Sequence, residues 1–251
     1  MTLLVNILAA LALIDGAIAA APEQHCDVPQ SFLSSETELM QVTNEVKTRK
    51  RLDISVVGTG SSSLPGPDGS NFAYPARLEQ ALKQQLPKIT VKVTAHIQAR
   101  GTTAEMAPEL AKILTDDKPT LVIWQTGTAD AMRAVEPEDF RSSLDGGVDT
   151  IESGHADVIL MNMQYSPHTE SMMDVSNYAD IMRFVAQQHG ALLFDRLGIM
   201  RDWNDSGTFD LYTATNNYDM ARRVHDCIGR ALASQIISAS HLDAVRMQTT
   251  R

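Results

Sequence analysis

One feature of this chain limits its fold more than any other: short, unbroken apolar runs alternate with amphipathic stretches. The runs are residues 54–57, 89–94, 121–124, 158–161 and, more weakly, 191–194. Between them, apolar residues recur at helical spacing. Leu78, Ala81, Leu82 and Leu86 do so within residues 74–86, and Met106, Leu110 and Ile113 within 103–114. Residues 139–153, 174–189 and 217–237 repeat the pattern. A strand that is apolar throughout is buried on both faces, and a helix with one apolar stripe covers such a strand. The alternation therefore predicts an α/β protein with a central, mostly parallel five-stranded sheet between two helical layers. The run at 89–94 alternates apolar with polar residues, which suits an edge strand. Crossovers in such a sheet are right-handed, and ligands sit at the carboxyl ends of its strands.

The chain has 251 residues, 43% of them hydrophobic, enough for one sizeable core. No shift in composition marks a second domain. A charged fraction of 21% argues against wholesale disorder. A formal net charge of −10 argues against a nucleic-acid partner and against docking on anionic membranes. The first twenty residues are small and apolar. Residues 3–14 form a hydrophobic run, and Ala17-Ile18-Ala19 offers a small-x-small cleavage site. This reads as a secretory signal peptide, although Lys and Arg are missing from its start and Asp15 interrupts it. A frayed N-terminal helix is the competing reading. No other stretch approaches the ~18 apolar residues of a membrane span. The expected organisation is a signal peptide at 1–20, an extension at 21–50 with a leading helix over 30–50, the α/β domain at 51–238, and a loose tail at 239–251. Export places the mature protein in the periplasm or outside the cell. There, the two cysteines, Cys26 and Cys227, are expected to form one disulfide. Two separate buried thiols are the alternative.

A candidate site lies just past the first apolar run. Gly58-Thr59 leads into Gly60-Ser61-Ser62-Ser63-Leu64-Pro65-Gly66, and a helix is expected from Tyr74. A tight strand-to-helix turn can present a serine hydroxyl beside backbone N–H donors, as a nucleophile requires. Spacing alone does not distinguish this from an ordinary turn or an anion-binding loop. The residues add a resemblance. Gly60-Ser61-Ser62-Ser63, with Tyr74-Pro75-Ala76-Arg77-Leu78 after it, resembles the first block of the SGNH/GDSL hydrolases of the secreted α-proteobacterial type. The likeness runs from about Cys26 to Ala233. It implies a flavodoxin-like three-layer α/β/α sandwich and activity as an ester or acyl hydrolase, with no cofactor. It also implies an acylated carbohydrate or lipid as the ligand. Ser62 stands at the nucleophile position and Ser61 where the family has Asp. Gly101, in Arg100-Gly101-Thr102-Thr103, stands at the oxyanion glycine.

The resemblance also marks departures. The third block, Gly-x-Asn, reads Gly127-Thr128-Ala129, so Ala129 replaces an oxyanion donor. Losing one such donor costs about 10²–10³ in turnover. The last block, Asp-x-x-His, falls without a gap on Asn216 and Asp219, in register with Met220, Cys227 and Leu232. The general base is then missing. An ordinary Asp, with a pKa of about 3.9, is a weak base at neutral pH. Asp219 reads equally well as the N-cap of a helix from Met220. Among the seven histidines, His168 alone is placed at the ligand edge, in the loop after the fourth strand, and His225 reads as packing within the last helix. No histidine has partners at a recognised metal-ligand spacing, so no metal is expected. The methionines at 161, 163, 172, 173 and 182 read as core and pocket lining. Two functions follow: an impaired ester hydrolase, or a non-catalytic relative that binds a glycan, an acyl group or an envelope partner.

Overall fold

The structure is a computed structural model that describes residues 26–212 and 218–243. The expected signal peptide and Asn216 lie outside the described residues. Five strands form one sheet: β1 (Arg51–Gly58), β2 (Thr90–Ile97), β3 (Leu121–Gln125), β4 (Asp157–Met161) and β5 (Leu192–Phe194). Their order is β2-β1-β3-β4-β5, and every neighbouring pair is parallel. The three middle strands are nearly all buried, as their apolar runs require, and β2 at the edge has one buried residue, Val91, among exposed and half-buried ones.

The helices are α1 (Gln30–Leu33), α2 (Met40–Arg49), α3 (Gly69–Phe72), α4 (Tyr74–Gln85), α5 (Thr103–Asp117), α6 (Thr128–Met132), α7 (Pro137–Ser153), α8 (Pro167–Met172), α9 (Ser176–His189), α10 (Arg196–Asp205) and α11 (Tyr218–Ala239). The chain steps outward from β1 to β2 through α4, then back across to β3, β4 and β5 through α5, α7 and α9. With right-handed crossovers, that reversal puts α4 on one face and the other three on the opposite face. Accordingly α11 packs on α4, while α5, α7 and α9 pack on one another in series.

Local chemistry sets several boundaries. The Thr102 hydroxyl and the Glu105 carboxylate form a capping box that starts α5. Proline occupies the first turn of α4, α7 and α8, where no N–H is needed. Gly190 ends α9 in the left-handed conformation.

The segment before β1 holds two helices, α1 and α2, and its position is tied from both ends. Cys26 is disulfide-bonded to Cys227 on α11, with Cα atoms 5.4 Å apart, and the Trp203 indole donates to the Asp27 carbonyl at 2.9 Å. The Leu39 N–H donates to the Ala239 carbonyl at 2.9 Å. Past Ser238 the chain turns back, so that Ser240 and Leu242 are fully buried. Among the described residues, no helix is long and apolar enough to cross a membrane.

Candidate active site at the carboxyl edge of the sheet

The turn after β1 is where the sequence places it. Residues Gly60–Ser62 form a single 3₁₀ turn directly beyond β1. Ser62 is 1% exposed and lies back against the strand. A Cβ on Gly58 would fall 2.3 Å from Ser62 Oγ, so only glycine at position 58 lets the serine pack there.

The hydroxyl of Ser62 has two partners. It donates to Gln125 Oε1 at 3.0 Å, and Tyr74 Oη lies 2.9 Å away. A serine has one proton to give, so Tyr74 donates and Ser62 accepts. Gln125 is the last residue of β3 and is fully buried. Its Oε1 also accepts from the Thr59 N–H at 3.0 Å and the Thr59 hydroxyl at 2.9 Å, with the Ser61 hydroxyl at 3.2 Å. An amide oxygen has two lone pairs, so donors around this turn outnumber acceptors.

Tyr74 is the first residue of α4 and is fully buried. Its phenol is pushed up to about 12, mainly by burial, against the opposing pull of the Ser62 hydrogen bond and the Arg196 charge. It is a proton donor at neutral pH, not a base. The N–H of Tyr74 donates to His225 Nδ1 at 3.0 Å, so a side chain of α11 satisfies the first turn of α4. Burial first, and the Arg196 charge second, push His225 down to about 3. It is therefore neutral, with the remaining proton on Nε2. The packing role expected for His225 is joined by this capping bond.

Arg196 crosses behind the turn. The Asp195 side chain accepts from the Gly198 N–H at 3.0 Å and starts α10, and Asn162 Oδ1 accepts from the Leu197 N–H at 2.9 Å. These bonds fix Arg196 at the first position of α10. Its guanidinium donates to Ser61 Oγ at 3.3 Å, to the Ser61 carbonyl at 3.2 Å and to Gln164 Oε1 at 3.2 Å, and lies 5.7 Å from the Tyr74 ring centre. It is 1% exposed.

The remaining sequence candidates lie nearby without joining Ser62. The Gly101 N–H donates to the Gln98 carbonyl at 3.0 Å, and the Ser62 N–H to the Thr59 carbonyl at 2.9 Å. Gly127 has φ of +94°, and a Cβ there would meet Met163 Sδ at 2.6 Å, which accounts for the glycine without chemistry. Ala129 is buried in α6. The adjacent Asp130 turns its carboxylate onto the start of α5, accepting from the Thr103 N–H at 3.0 Å and the Thr103 hydroxyl at 3.0 Å. Burial raises its pKa above the usual carboxylate value, against those hydrogen bonds. Asp219 stands inside the first turn of α11 rather than ahead of it, with its side chain 88% exposed and 3.8 Å from Arg222. His168 lies on α8, not in an irregular loop, and is exposed at the mouth of a cavity.

That cavity, about 320 Å³, opens between α8, α10 and the start of α11, with Arg196, His225 and Gln164 in its wall. A larger cleft of about 550 Å³ lies at the amino ends of the strands, beside Arg51, Asp53 and Lys118. That is the wrong end of the sheet for a ligand site of this fold. Elsewhere, His189 on α9 faces Asp149 and Glu152 of α7 at 3.7 and 3.5 Å. Sequence spacing did not reveal this grouping.

Sequence reasoning passed over Gln125 and Arg196. A signal existed for Gln125, as a polar side chain ending the wholly apolar run Leu121-Val122-Ile123-Trp124 at the ligand edge. No pattern marked Arg196, because nothing in a linear sequence distinguishes a buried guanidinium from a surface one.

A five-stranded parallel sheet in this order, with a serine turn after β1, defines an SGNH-type hydrolase fold. Residues 25–242 match the model of the Non-GDSL lipase-like family, and the chain belongs to that family. Solved structures agree on the fold. LAE5, an α/β hydrolase enzyme from the metagenome of Lake Arreo, Spain, is 19% identical, covering 76% of this chain and 95% of its own, with a TM-score of 0.57. A catalytic mutant of Axe2, an acetylxylan esterase from Geobacillus stearothermophilus, is 16% identical, covering 74% and 94%, with a TM-score of 0.58. TesA is 23% identical, covering 56% and 76%, with a TM-score of 0.50. Comparison with curated proteins gives no match.

Proposed function

We propose that this is an exported SGNH-fold protein that binds an acyl-bearing ligand at its carboxyl edge and has weak or no classical serine esterase activity. One observation carries the reading. The Ser62 hydroxyl is buried between a phenol that donates to it and an amide oxygen that takes its proton. A serine needs a base within about 3 Å to become a nucleophile. Tyr74 is too weak a base, with its phenol pushed up to about 12. The nearby His225 spends its one basic nitrogen on the Tyr74 N–H. The proposed oxyanion donors fit the same reading. The N–H groups of Ser62 and Gly101 are bonded within their own turns, and Ala129 has no donor to offer. Asn216 and Asp219, at the positions of the family's Asp and His, cannot relay a proton as that pair does. Export is supported by the apolar N-terminal run and by the Cys26–Cys227 disulfide.

The test is hydrolysis of p-nitrophenyl acetate and butyrate by the mature protein beside Ser62→Ala, together with labelling by a serine-reactive fluorophosphonate. Equal, background turnover and no labelling are expected. Turnover that disappears in Ser62→Ala would overturn the reading in favour of an ester hydrolase.

A further inference from the structure

Arg196 is a buried cation without a carboxylate partner among the described residues. Buried charges are ordinarily paired, because taking an ion out of water costs several kcal/mol. The acceptors around Arg196 are a carbonyl, a hydroxyl and an amide oxygen, all at 3.2–3.3 Å. Charge-assisted hydrogen bonds are shorter, about 2.7–2.9 Å. Its Nε is buried with no partner. Among the described residues no carboxylate contributes to its electrostatics; burial holds the guanidinium down to about 10, opposed only by the neighbouring Tyr74. A structural strut between the Ser61 turn and Gln164 accounts for the three contacts. It does not account for the uncompensated charge.

The cavity beside it supplies the missing half. Arg196 is the only permanent charge in the described wall, which contains no carboxylate. Met200, Leu211, Met220, Ala221 and Val224 make most of the remaining surface apolar. Tyr212 stands at the mouth, 72% exposed. Its volume of about 320 Å³ falls in the range of small-molecule sites. A single positive charge in an otherwise apolar cavity complements a single negative charge on an apolar body. A phosphate monoester would bring a second charge with no second cation to meet it.

We propose that this cavity binds an acyl carboxylate, a monocarboxylate with an apolar body, with its headgroup seated on the Arg196 guanidinium. The proposal deepens the reading of a binding edge and rests on it, but it does not involve Ser62 chemistry. The bound carboxylate would neutralise Arg196 and accept from groups that now compete for Gln164 and the Ser61 turn.

The experiment uses the mature, disulfide-bonded protein labelled with ¹³C at its methionine methyls. Met200 and Met220 report on the cavity. Octanoate, methyl octanoate and octyl phosphate are titrated in turn, below the concentration at which each aggregates. Octanoate should shift the Met200 and Met220 signals to saturation. Methyl octanoate should bind about tenfold or more weakly, the loss expected for one charge-assisted hydrogen bond. Octyl phosphate should bind no better than octanoate. Arg196→Met should remove the preference for octanoate over its ester, and Val224→Trp, which fills the cavity and leaves Arg196 in place, should abolish both. If Arg196→Met does not fold, the comparison of acid with ester in the unaltered protein still decides. No saturable shift at Met200 and Met220, or equal binding of acid and ester, would overturn the proposal. Tighter octyl phosphate would overturn the carboxylate in favour of a phosphate ligand. Ser62→Ala should bind octanoate with unchanged affinity. Ser62-dependent ester turnover alongside octanoate binding would sink the non-catalytic reading and leave the carboxylate site standing.

Discussion

Single residues at this site act through what they deny each other as much as through what they offer. Gln125 Oε1 takes the Ser62 proton and the Thr59 N–H, so the serine turn is a closed set of hydrogen bonds. Replacing Gln125 by Leu would leave the buried Thr59 N–H without an acceptor. A loss of about 1–3 kcal/mol in urea denaturation is expected. His225 gives a pH prediction. Its folded pKa of about 3 lies below the ordinary value of 6.5, so between them the unfolded chain binds the extra proton. Stability is therefore complete above about pH 6.5 and falls as the pH drops toward 3, by up to about 1.4 kcal/mol per pH unit. His225→Asn keeps an acceptor for the Tyr74 N–H but does not titrate. Its denaturation midpoint should fall less than that of the unaltered protein between pH 7.5 and 5. Asp130 shifts in the opposite sense, with a raised folded pKa that favours the fold as pH falls. Because it is common to both proteins, the comparison isolates His225. Asp219→His alone should restore no ester turnover, since that side chain points to solvent.

At the scale of elements, the site depends on how tightly the turn lies against β1. Gly58 sits at the end of that strand, where a Cβ would collide with Ser62 Oγ and Cβ. Gly58→Ala should therefore displace the turn and cost about 1–3 kcal/mol, the usual range for overpacking. It should also free the Ser62 hydroxyl from Gln125, which would appear as altered tyrosine fluorescence from Tyr74. Element positions were largely legible in the sequence. The runs at 54–57, 121–124 and 158–161 lie within β1, β3 and β4, and the alternating run overlaps the edge strand β2. Helical spacing likewise anticipated α4, α5, α7, α9 and α11. The short helices α6 and α8, and α10, were not legible. Their residues carry little periodic signal, and caps such as Ser166 and Asp195 start them only once the sheet has placed those residues.

Over the whole molecule, the disulfide closes nearly the entire described chain, joining cysteines 201 residues apart. Chain-entropy models value such a closure at about 5 kcal/mol, and measured gains are often smaller. The double variant Cys26→Ala, Cys227→Ala should melt at a clearly lower temperature and yet keep the same far-UV circular dichroism. Free-thiol titration of the denatured, unreduced protein should find no reactive thiol. The apolar pattern by itself determined the layered parallel sheet, the edge strand and the end of the sheet that holds the site, because burial on two faces leaves a periodic trace in a chain. The motif resemblance, not the apolar pattern, led to the expectation that Ser62, Gly101 and Ala129 stand at family positions. Only the tertiary structure decided what surrounds Ser62. Tyr74, Gln125, Arg196 and His225 come from four different elements, and their protonation and partners depend on burial that no local pattern encodes. The uncompensated charge of Arg196 is the clearest case. Its meaning lies in the absence of a carboxylate from the described residues of the wall around it, and that is a property of the folded cavity rather than of the residue.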